Sequence, residues 1–329
     1  MIRPDDERLS WPGSISLQHS ADWVMPWRLP HTQRELFPPV ALQERAAMPA
    51  GVRLTFRSDT TTIAGEIEPH PDATAVDLSV DGQIHGSTPL AGQDRFTFAE
   101  LAPGEKLIEL WLPQMGQFRL RSLALSDGAS LSRAEDDRPR WITYGSSISH
   151  CGDAASPAYT WPAIVARAHG LNLTCLGYGG NCHLEPMIAR MIRDLPADFL
   201  SMKVGINIQG GNTLNARTFR AAVIGFVQIV REEHPDTPFA VVSPIYSSPR
   251  ETTPNEVGFT LPAMRDEVAA AVSALQAHGD RHLHYFDGLQ VFGPESAHLL
   301  PDDLHPNAKG YQVLGQSFLR EVAAKVFVS

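Results

Sequence analysis

Two short segments hold the residue types that nucleophilic catalysis requires. The first is GSSIS at residues 145–149, which follows the apolar run WITY directly and has Ser147 at its centre. A hydroxyl there lies near a helix N-terminus, whose amides can stabilise an oxyanion. The second segment holds Asp302 and His305 just before the last helical pattern. A carboxylate three residues before a histidine can orient the ring while the other ring nitrogen activates a serine.

Each segment also has a simpler interpretation when it is taken alone. Gly-Ser-Ser is common in turns and helix caps, and Asp303 or Asn307 could cap the final helix. The first segment also differs from the GxSxG turn of the α/β-hydrolases, because Ser149 stands at the position of the second glycine. A serine hydrolase built on these residues would therefore follow a different layout.

Two further segments could supply the hydrogen-bond donors that acyl transfer needs for a developing oxyanion. GYGGN at residues 177–181 is a glycine cluster that allows a backbone amide to approach a ligand closely. VGIN at residues 204–207 delivers the side-chain amide of Asn207 after the next apolar run. Either segment alone is more typical of a turn than of a site.

These segments follow apolar runs that are typical of buried parallel strands, because both faces of each run are apolar. The runs are WITYG, LNLTCLGYG, ADFLSMKVGIN, PFAVVSPIYS and LHYFDGL. The segments between them have helical periodicity, and the last helix is predicted over residues 307–327. This alternation predicts a five-stranded, parallel, doubly wound α/β sheet, whose sites lie at the carboxyl ends of the strands.

The first part of the chain has a different pattern. From residue 52 to 126, short runs alternate polar and apolar residues and are separated by turn residues, as in VDGQIHG and LAPGEK. This pattern predicts antiparallel strands of an all-β sandwich. Within the first fifty residues, WPGSISLQ could be an edge strand and ADWVMPWRLP a wrapping segment. The polar stretch 126–140 is predicted to link a domain over residues 1–130 to one over residues 138–329.

Together the four segments resemble the sequence blocks of the SGNH, or GDSL-like, hydrolases in order and spacing. The resemblance covers residues 138–329 and implies a flavodoxin-like sheet. It implies Ser147 as the nucleophile, with Asp302 and His305 completing the triad, and it implies that the Ser147 amide, Gly180 and Asn207 form the oxyanion hole. No cofactor is then required. Ser146 stands where many members have aspartate, which leaves the hydrogen bonding around the nucleophile open.

The β-rich first half resembles, in layout alone, the jelly-roll-like sandwich of some SGNH carbohydrate esterases. This implies a serine esterase that removes a short, acetyl-like acyl group from a sugar or another small molecule. Lipase, thioesterase and acyltransferase activities remain alternatives, as does a glycan-binding protein with a silent hydrolase domain. We expect the sandwich to dock near the strand ends and to shape the alcohol side of the site.

The composition narrows the range of partners. The formal net charge is -10 and the isoelectric point is near 5.7, so no excess of cations is available for phosphates or anionic membranes. Nucleic acid and membrane partners are therefore not expected. The N-terminus has acidic residues where a signal peptide is basic, and we expect a cytoplasmic protein. Cys151, Cys175 and Cys182 are expected to be free thiols, although a contact between Cys151 and Cys182 stays open.

Other polar residues fit bland interpretations. The histidines form no HExxH or Cys/His cluster, so no metal site is expected; they include His150, His169, His183, His282 and His284. No phosphate-binding glycine motif follows a strand. Glu185, Asp194 and Asp198 are interpreted as solvated charges, and Tyr178 and His183 as packing residues or pocket lining.

Overall fold

A computed structural model describes residues 1–327. In the first part of the chain, the segments that alternate polar and apolar residues form nine strands. These strands are β1 Ser16–His19, β2 Val24–Trp27, β3 Arg53–Ser58, β4 Ile63–Ile67, β5 Ala75–Val80, β6 Gln83–Pro89, β7 Arg95–Phe98, β8 Lys106–Trp111 and β9 Leu120–Leu125. A 3-10 helix at His31–Leu36 and helix α1 at Val40–Ala46 lie between β2 and β3.

The nine strands pack as a sandwich of two antiparallel sheets. One sheet has the order β1-β2-β9-β4-β7 and the other has the order β3-β8-β5-β6. Without β1, these orders are those of an eight-stranded jelly roll. Alternate residues of the strands point into the core between the sheets, as Phe96 and Phe98 of β7 do. The predicted all-β sandwich is therefore confirmed.

Three details differ from the sequence interpretation. VDGQIHG is interpreted above as a turn, but its residues 83–86 begin β6, which pairs with β5, because the turn is confined to Asp81 and Gly82. The stretch ADWVMPWRLP contains a strand, β2, that pairs with β1 and β9. Helix α1 had no counterpart in the prediction.

The second part of the chain forms the predicted parallel sheet. Its strands are β10 Arg140–Gly145, β11 Asn172–Gly177, β12 Phe199–Lys203, β13 Phe239–Val242 and β14 Leu283–Phe286. The order β11-β10-β12-β13-β14 is the 2-1-3-4-5 order of a flavodoxin-like sheet. The connections diverge between β10 and β12, so a crevice opens at the carboxyl ends of these two neighbours.

Helices cover this sheet. They are α2 Ser147–His150, α3 Trp161–His169, α4 Pro186–Asp194, α5 Ile206–Gly211, α6 Phe219–Arg231, α7 Ser248–Thr252, α8 Leu261–Ala277, α9 Gly288–Val291, α10 Ala308–Phe318 and α11 Ala324–Val326. Helix α3 packs with α10, whereas α4 and α8 pack on α6. The helix predicted over residues 307–327 consists of α10, a π-helical turn at Leu319–Ala323 and α11.

The first part of the chain packs against the edge strand of the parallel sheet, β11, and covers it. Arg53 of β3 is fully buried and donates to the carbonyl oxygen of Leu173 at 2.6 Å and to Asn172 Oδ1 at 2.6 Å. Burial lowers the pKa of Arg53 to about 10. An edge strand has unpaired backbone groups, and here a buried guanidinium occupies part of that edge.

Arg28 makes the second contact with the same edge. Its guanidinium donates to the carbonyl oxygens of Cys175 at 3.0 Å and Gly177 at 2.7 Å. It also donates to the carbonyl oxygens of Arg45 and Met48, both at 2.6 Å. The residue is completely buried, and burial lowers the pKa of its guanidinium. One cation thus joins the end of α1 to the end of β11.

The hydrophobic core crosses the predicted domain boundary. Apolar side chains of residues 25–47 belong to the core of the parallel sheet rather than to that of the sandwich; they include Met25, Trp27, Leu29, Phe37 and Leu42. The stretch 126–140 is also packed, because Ser132 pairs with Arg57 of β3 and Arg138 forms an ion pair with Glu109. The packing is therefore continuous across the predicted boundary. The division into residues 1–130 and 138–329 stays a prediction. In residues 1–327, the helices are all too short or too polar to cross a bilayer.

Replacing Arg28 tests the importance of this edge contact. Arg28→Leu should lower the free energy of unfolding by more than about 3 kcal/mol, because four buried carbonyl groups lose their donor. Urea denaturation followed by circular dichroism measures the change. Arg57→Leu is the matched control, since the Arg57 side chain forms an exposed ion pair with Glu105 while its bonds to Ser132 are made by the backbone, and it should change stability by less than about 1 kcal/mol. Equal losses in both variants would contradict the account.

Candidate active site

Ser147 lies at the turn between β10 and α2. The turn is held by Ser146, which is buried and whose Oγ accepts from the backbone amide of Ile148 at 3.3 Å. Helix α2 then lies against the end of β11 so closely that a Cβ on Gly177 would lie 2.4 Å from the backbone nitrogen of His150. A glycine at this strand end therefore allows the short helix to pack here. Ser146 thus acts as the N-terminal cap of α2.

Ser147, His305 and Asp302 form one line of hydrogen bonds. Ser147 Oγ lies 2.8 Å from His305 Nε2, and His305 Nδ1 lies 2.6 Å from Asp302 Oδ2. The structure therefore brings together three residues that come from opposite ends of the parallel-sheet region. With Nδ1 bonded to the carboxylate, Nε2 is the ring nitrogen that faces the hydroxyl.

The loop that carries Asp302 is fixed by its own hydrogen bonds. Asp302 Oδ1 accepts from the backbone amides of His305 at 2.6 Å and Leu304 at 3.1 Å. Ser247 Oγ donates to the carbonyl oxygen of Asp303, and Asn307 caps α10 by accepting from Gly310. Partial burial raises the pKa of Asp302, but the hydrogen bonds from His305 and Leu304 outweigh it and lower that pKa to about 2. The carboxylate is therefore ionised at neutral pH.

Gly180 and Asn207 line the same cavity as Ser147. Gly180 has a φ of 73°, a left-handed conformation that favours glycine. Asn207 lies in the first turn of α5, and its Oδ1 accepts from the backbone amide of Cys182 at 3.1 Å. This bond fixes the orientation of the amide, so Nδ2 remains as a donor. Both predicted oxyanion donors are thus placed beside the serine.

The cavity around these residues has a volume of about 470 Å³. Its lining comes from both halves of the chain: Arg45, Met115, Ser147, His150, Gly152, Asp153, Gly179, Gly180, Asn207, Leu304, His305 and Tyr311. Arg45 and Met115 belong to the part of the chain that precedes the parallel sheet. The first part of the chain thus contributes two lining residues beside the strand ends, and the expectation that the sandwich shapes the alcohol side of the site stays a prediction.

Sequence reasoning missed the part that His150 plays in this wall. His150 Nε2 donates to the carbonyl oxygen of Gln114 at 2.6 Å, while its buried Nδ1 has no partner within residues 1–327. His150 was considered only as a metal ligand, although its position three residues after Ser147 on α2 was a usable signal. No comparable signal marked Arg45 or Met115, because neither lies in a motif.

The remaining polar residues mostly have structural contacts. Glu185, interpreted above as a solvated charge, accepts hydrogen bonds from the buried Tyr144 hydroxyl and from the backbone amide of His183, so that interpretation was wrong. Asp198 pairs with Arg140 at the surface. Tyr178 is buried and its hydroxyl donates to the carbonyl oxygen of Arg28, which places it in the core.

The thiols and the other histidines add no further group to the site. Cys151, Cys175 and Cys182 are all free and buried. His183 hydrogen bonds to Thr213 and to the carbonyl oxygen of Gly180. Within residues 1–327, His, Cys, Asp and Glu side chains form no group of three that could hold a metal ion.

Two family models match different parts of the chain. A family model described as the GDSL-like lipase/acylhydrolase family matches residues 139–323, and a model described as the N-terminal domain of SsfX3 matches residues 9–121. No sequence among the curated proteins matches the chain.

Several solved structures are similar to this one along its whole length. A salicylyl-acyltransferase, SsfX3, from a tetracycline biosynthetic pathway is 38% identical, with a TM-score of 0.91, and the match covers 98% of this chain and 96% of that one. A family two carbohydrate esterase from Clostridium thermocellum, in complex with cellohexaose, is 14% identical with a TM-score of 0.68, covering 97% and 99%. An acetyl xylan esterase from Butyrivibrio proteoclasticus is 10% identical with a TM-score of 0.61, covering 98% and 97%. The last two show the fold alone.

The protonation of His150 gives a pH test of the cavity wall. Burial, followed by the charge of Arg28, holds the pKa of His150 well below its usual range near 6.5. The folded protein should therefore keep a neutral ring, with its proton on Nε2, at pH values at which an exposed histidine is already protonated, and ¹⁵N NMR of the imidazole can measure this. Because the unfolded chain takes up this proton more readily, His150 should lower the free energy of unfolding as the pH falls below about 6.5. A ring that titrates near pH 6.5 would contradict this.

Proposed function

The chain belongs to the GDSL-like lipase/acylhydrolase family, and we propose that it cleaves an ester of a small molecule through an acyl-enzyme on Ser147. The observation that supports this most directly is the line of hydrogen bonds from Ser147 through His305 to Asp302. A serine hydroxyl is a weak nucleophile until a base accepts its proton, and the 2.8 Å contact with Nε2 provides that base. The chain is thus a serine hydrolase for which we assign the reacting residues.

The reaction has two steps. Ser147 Oγ attacks the ester carbonyl while His305 Nε2 takes its proton, and the ionised Asp302 stabilises the resulting imidazolium. His305 then gives the proton to the leaving alcohol oxygen, and the acyl group stays on Ser147. Water, activated by the same ring, attacks the acyl-enzyme and releases the acid.

The negative charge that develops on the carbonyl oxygen needs donors that are already in place. We assign this role to the Ser147 amide, the Gly180 amide and Asn207 Nδ2. The hydrogen bond from Cys182 to Asn207 Oδ1 supports the assignment, because it holds the amide in one orientation before substrate binds. A donor fixed in advance costs no reorganisation during the reaction.

The size of the cavity limits the substrate to a small ester. The cavity of about 470 Å³ must hold both the acyl group and the beginning of the alcohol. Acetylated sugars are one substrate class to test, since carbohydrate esterases share the fold. The alcohol would leave along the wall formed by Arg45 and Met115, which the first half of the chain contributes.

Acyl transfer to a second alcohol is the other candidate. The observation that favours it is the 38% identity with a salicylyl-acyltransferase over 98% of this chain. Transfer and hydrolysis share the acyl-enzyme and differ only in which hydroxyl attacks it. The same residues would serve both reactions, with an acceptor alcohol in place of water.

Removal of the Ser147 hydroxyl tests the nucleophile. Ser147→Ala should reduce the hydrolysis of p-nitrophenyl acetate by at least about a thousandfold without lowering the melting temperature. A serine-directed phosphonate should label Ser147 alone, as mass spectrometry of peptides can show. Ser149→Ala is the matched control, because the buried Ser149 Oγ has no partner within residues 1–327, and it should keep its activity. Label on Ser149, or an active Ser147→Ala variant, would refute the assignment.

A partition experiment separates hydrolysis from transfer. With an activated salicylate or acetate ester as donor, rising concentrations of a phenol or sugar acceptor should divert acyl groups from free acid to a new ester if the chain is a transferase. Chromatography of both products measures the ratio. If free acid is the only product at every acceptor concentration, the chain is an esterase and the transferase proposal fails. Formation of a new ester would favour the transferase.

A further inference from the structure

A cation of the first half of the chain lies next to the proposed nucleophile. Arg45 is half-buried and lines the cavity that holds Ser147 and His305. A Cβ on Gly179 would lie 3.4 Å from Arg45 Nε and 3.7 Å from Ser147 Cβ. The guanidinium and the serine are therefore neighbours of the same backbone position.

The backbone of Arg45 is held in place by a buried hydrogen bond. Its carbonyl oxygen accepts from Arg28, which donates as well to the carbonyl oxygens of Cys175 and Gly177. The end of α1 is thereby held at the end of β11, two residues before Gly179. The backbone of Arg45 is thus held, through Arg28, at the strand end that borders the cavity, and its side chain starts from a fixed point on the cavity wall.

The charge of Arg45 has no counterion in residues 1–327. Its guanidinium contacts the thioether sulfur of Met48 at 3.7 Å and forms no ion pair with a carboxylate. Two carboxylates lie nearby, but neither forms an ion pair with Arg45 in residues 1–327. Asp153 lines the same cavity, and the Asp302 carboxylate is hydrogen bonded to His305. His150 beside it is held neutral, so it supplies no charge. An arginine has five N–H donors and no acceptor, and it matches the geometry of a carboxylate.

We propose that Arg45 binds a carboxylate carried by the substrate, on the acyl or the alcohol part, close to the ester bond. This inference rests on the proposed function, because it assigns the substrate class of the same site. Hydrogen bonds to a charged partner are stronger than neutral ones, and their strength increases in a cavity that excludes water. The enzyme would then select anionic esters over neutral esters of the same size.

The test compares matched neutral and anionic esters. One pair is phenyl acetate and 4-carboxyphenyl acetate, which carries the charge on the alcohol; the other is phenyl benzoate and phenyl 4-carboxybenzoate, which carries it on the acyl group. The ratio of kcat/KM for the anionic and neutral members of each pair should fall by about ten- to a hundredfold in Arg45→Gln for at least one pair. Arg45→Lys should retain part of the preference, since it keeps the charge but loses the planar fork.

Arg217→Gln is the control, because Arg217 is exposed and its side chain forms no ion pair in residues 1–327. Its ratios should equal those of the unchanged protein. Calorimetric titration of Ser147→Ala with the preferred anionic ester adds a readout without turnover, and the affinity should fall when Arg45→Gln is added. Unchanged ratios in Arg45→Gln, while Ser147 still carries the acyl group, would overturn this inference alone. Failure of Ser147 labelling would instead overturn the proposed function.

Discussion

Strand β11 is the edge of the parallel sheet, and it is buried against the first half of the chain. An edge strand has backbone carbonyl groups without partners, and burying them requires donors from elsewhere. Arg53 and Arg28 supply these donors to Leu173, Cys175 and Gly177, and both are fully buried. Burying two guanidinium groups is costly unless their hydrogen bonds are satisfied. The sandwich and the parallel sheet are thus held in one relative position by directional bonds.

That fixed position determines the site. The crevice at the ends of β10 and β12 would be open on the β11 side without the segment that carries Arg45 and the loop that carries Met115. A second buried contact holds the loop, because Gln114 accepts from His150 and donates to the carbonyl oxygen of Ala154. The triad is supplied entirely by the second half of the chain, whereas the wall facing it is shared. We therefore propose that the second half of the chain carries the reacting residues, whereas both halves shape the cavity that selects the substrate.

The parallel sheet and the placing of its polar residues could be predicted because each motif directly follows an apolar run. Ser147, Gly180 and Asn207 need only the strand order to be brought to one edge of the sheet, and His305 needs only its loop. The strand β6 could not be predicted in the same way, since Gly86 and Pro89 resemble turn residues and the pairing with β5 decides its structure. Arg45 could not be predicted as cavity lining, because its position depends on a contact between residues far apart in sequence.

We propose that the first half of the chain completes the cavity around Ser147. A crystal structure of the full chain, inactivated by an aryl phosphonate that carries a carboxylate, would show whether it does. We expect phosphorus bonded to Ser147 Oγ, its free oxygen within hydrogen-bond distance of Gly180 N and Asn207 Nδ2, and the aryl group in contact with Arg45 and Met115. An adduct on another residue, or an aryl group that lies away from both Arg45 and Met115, would contradict it.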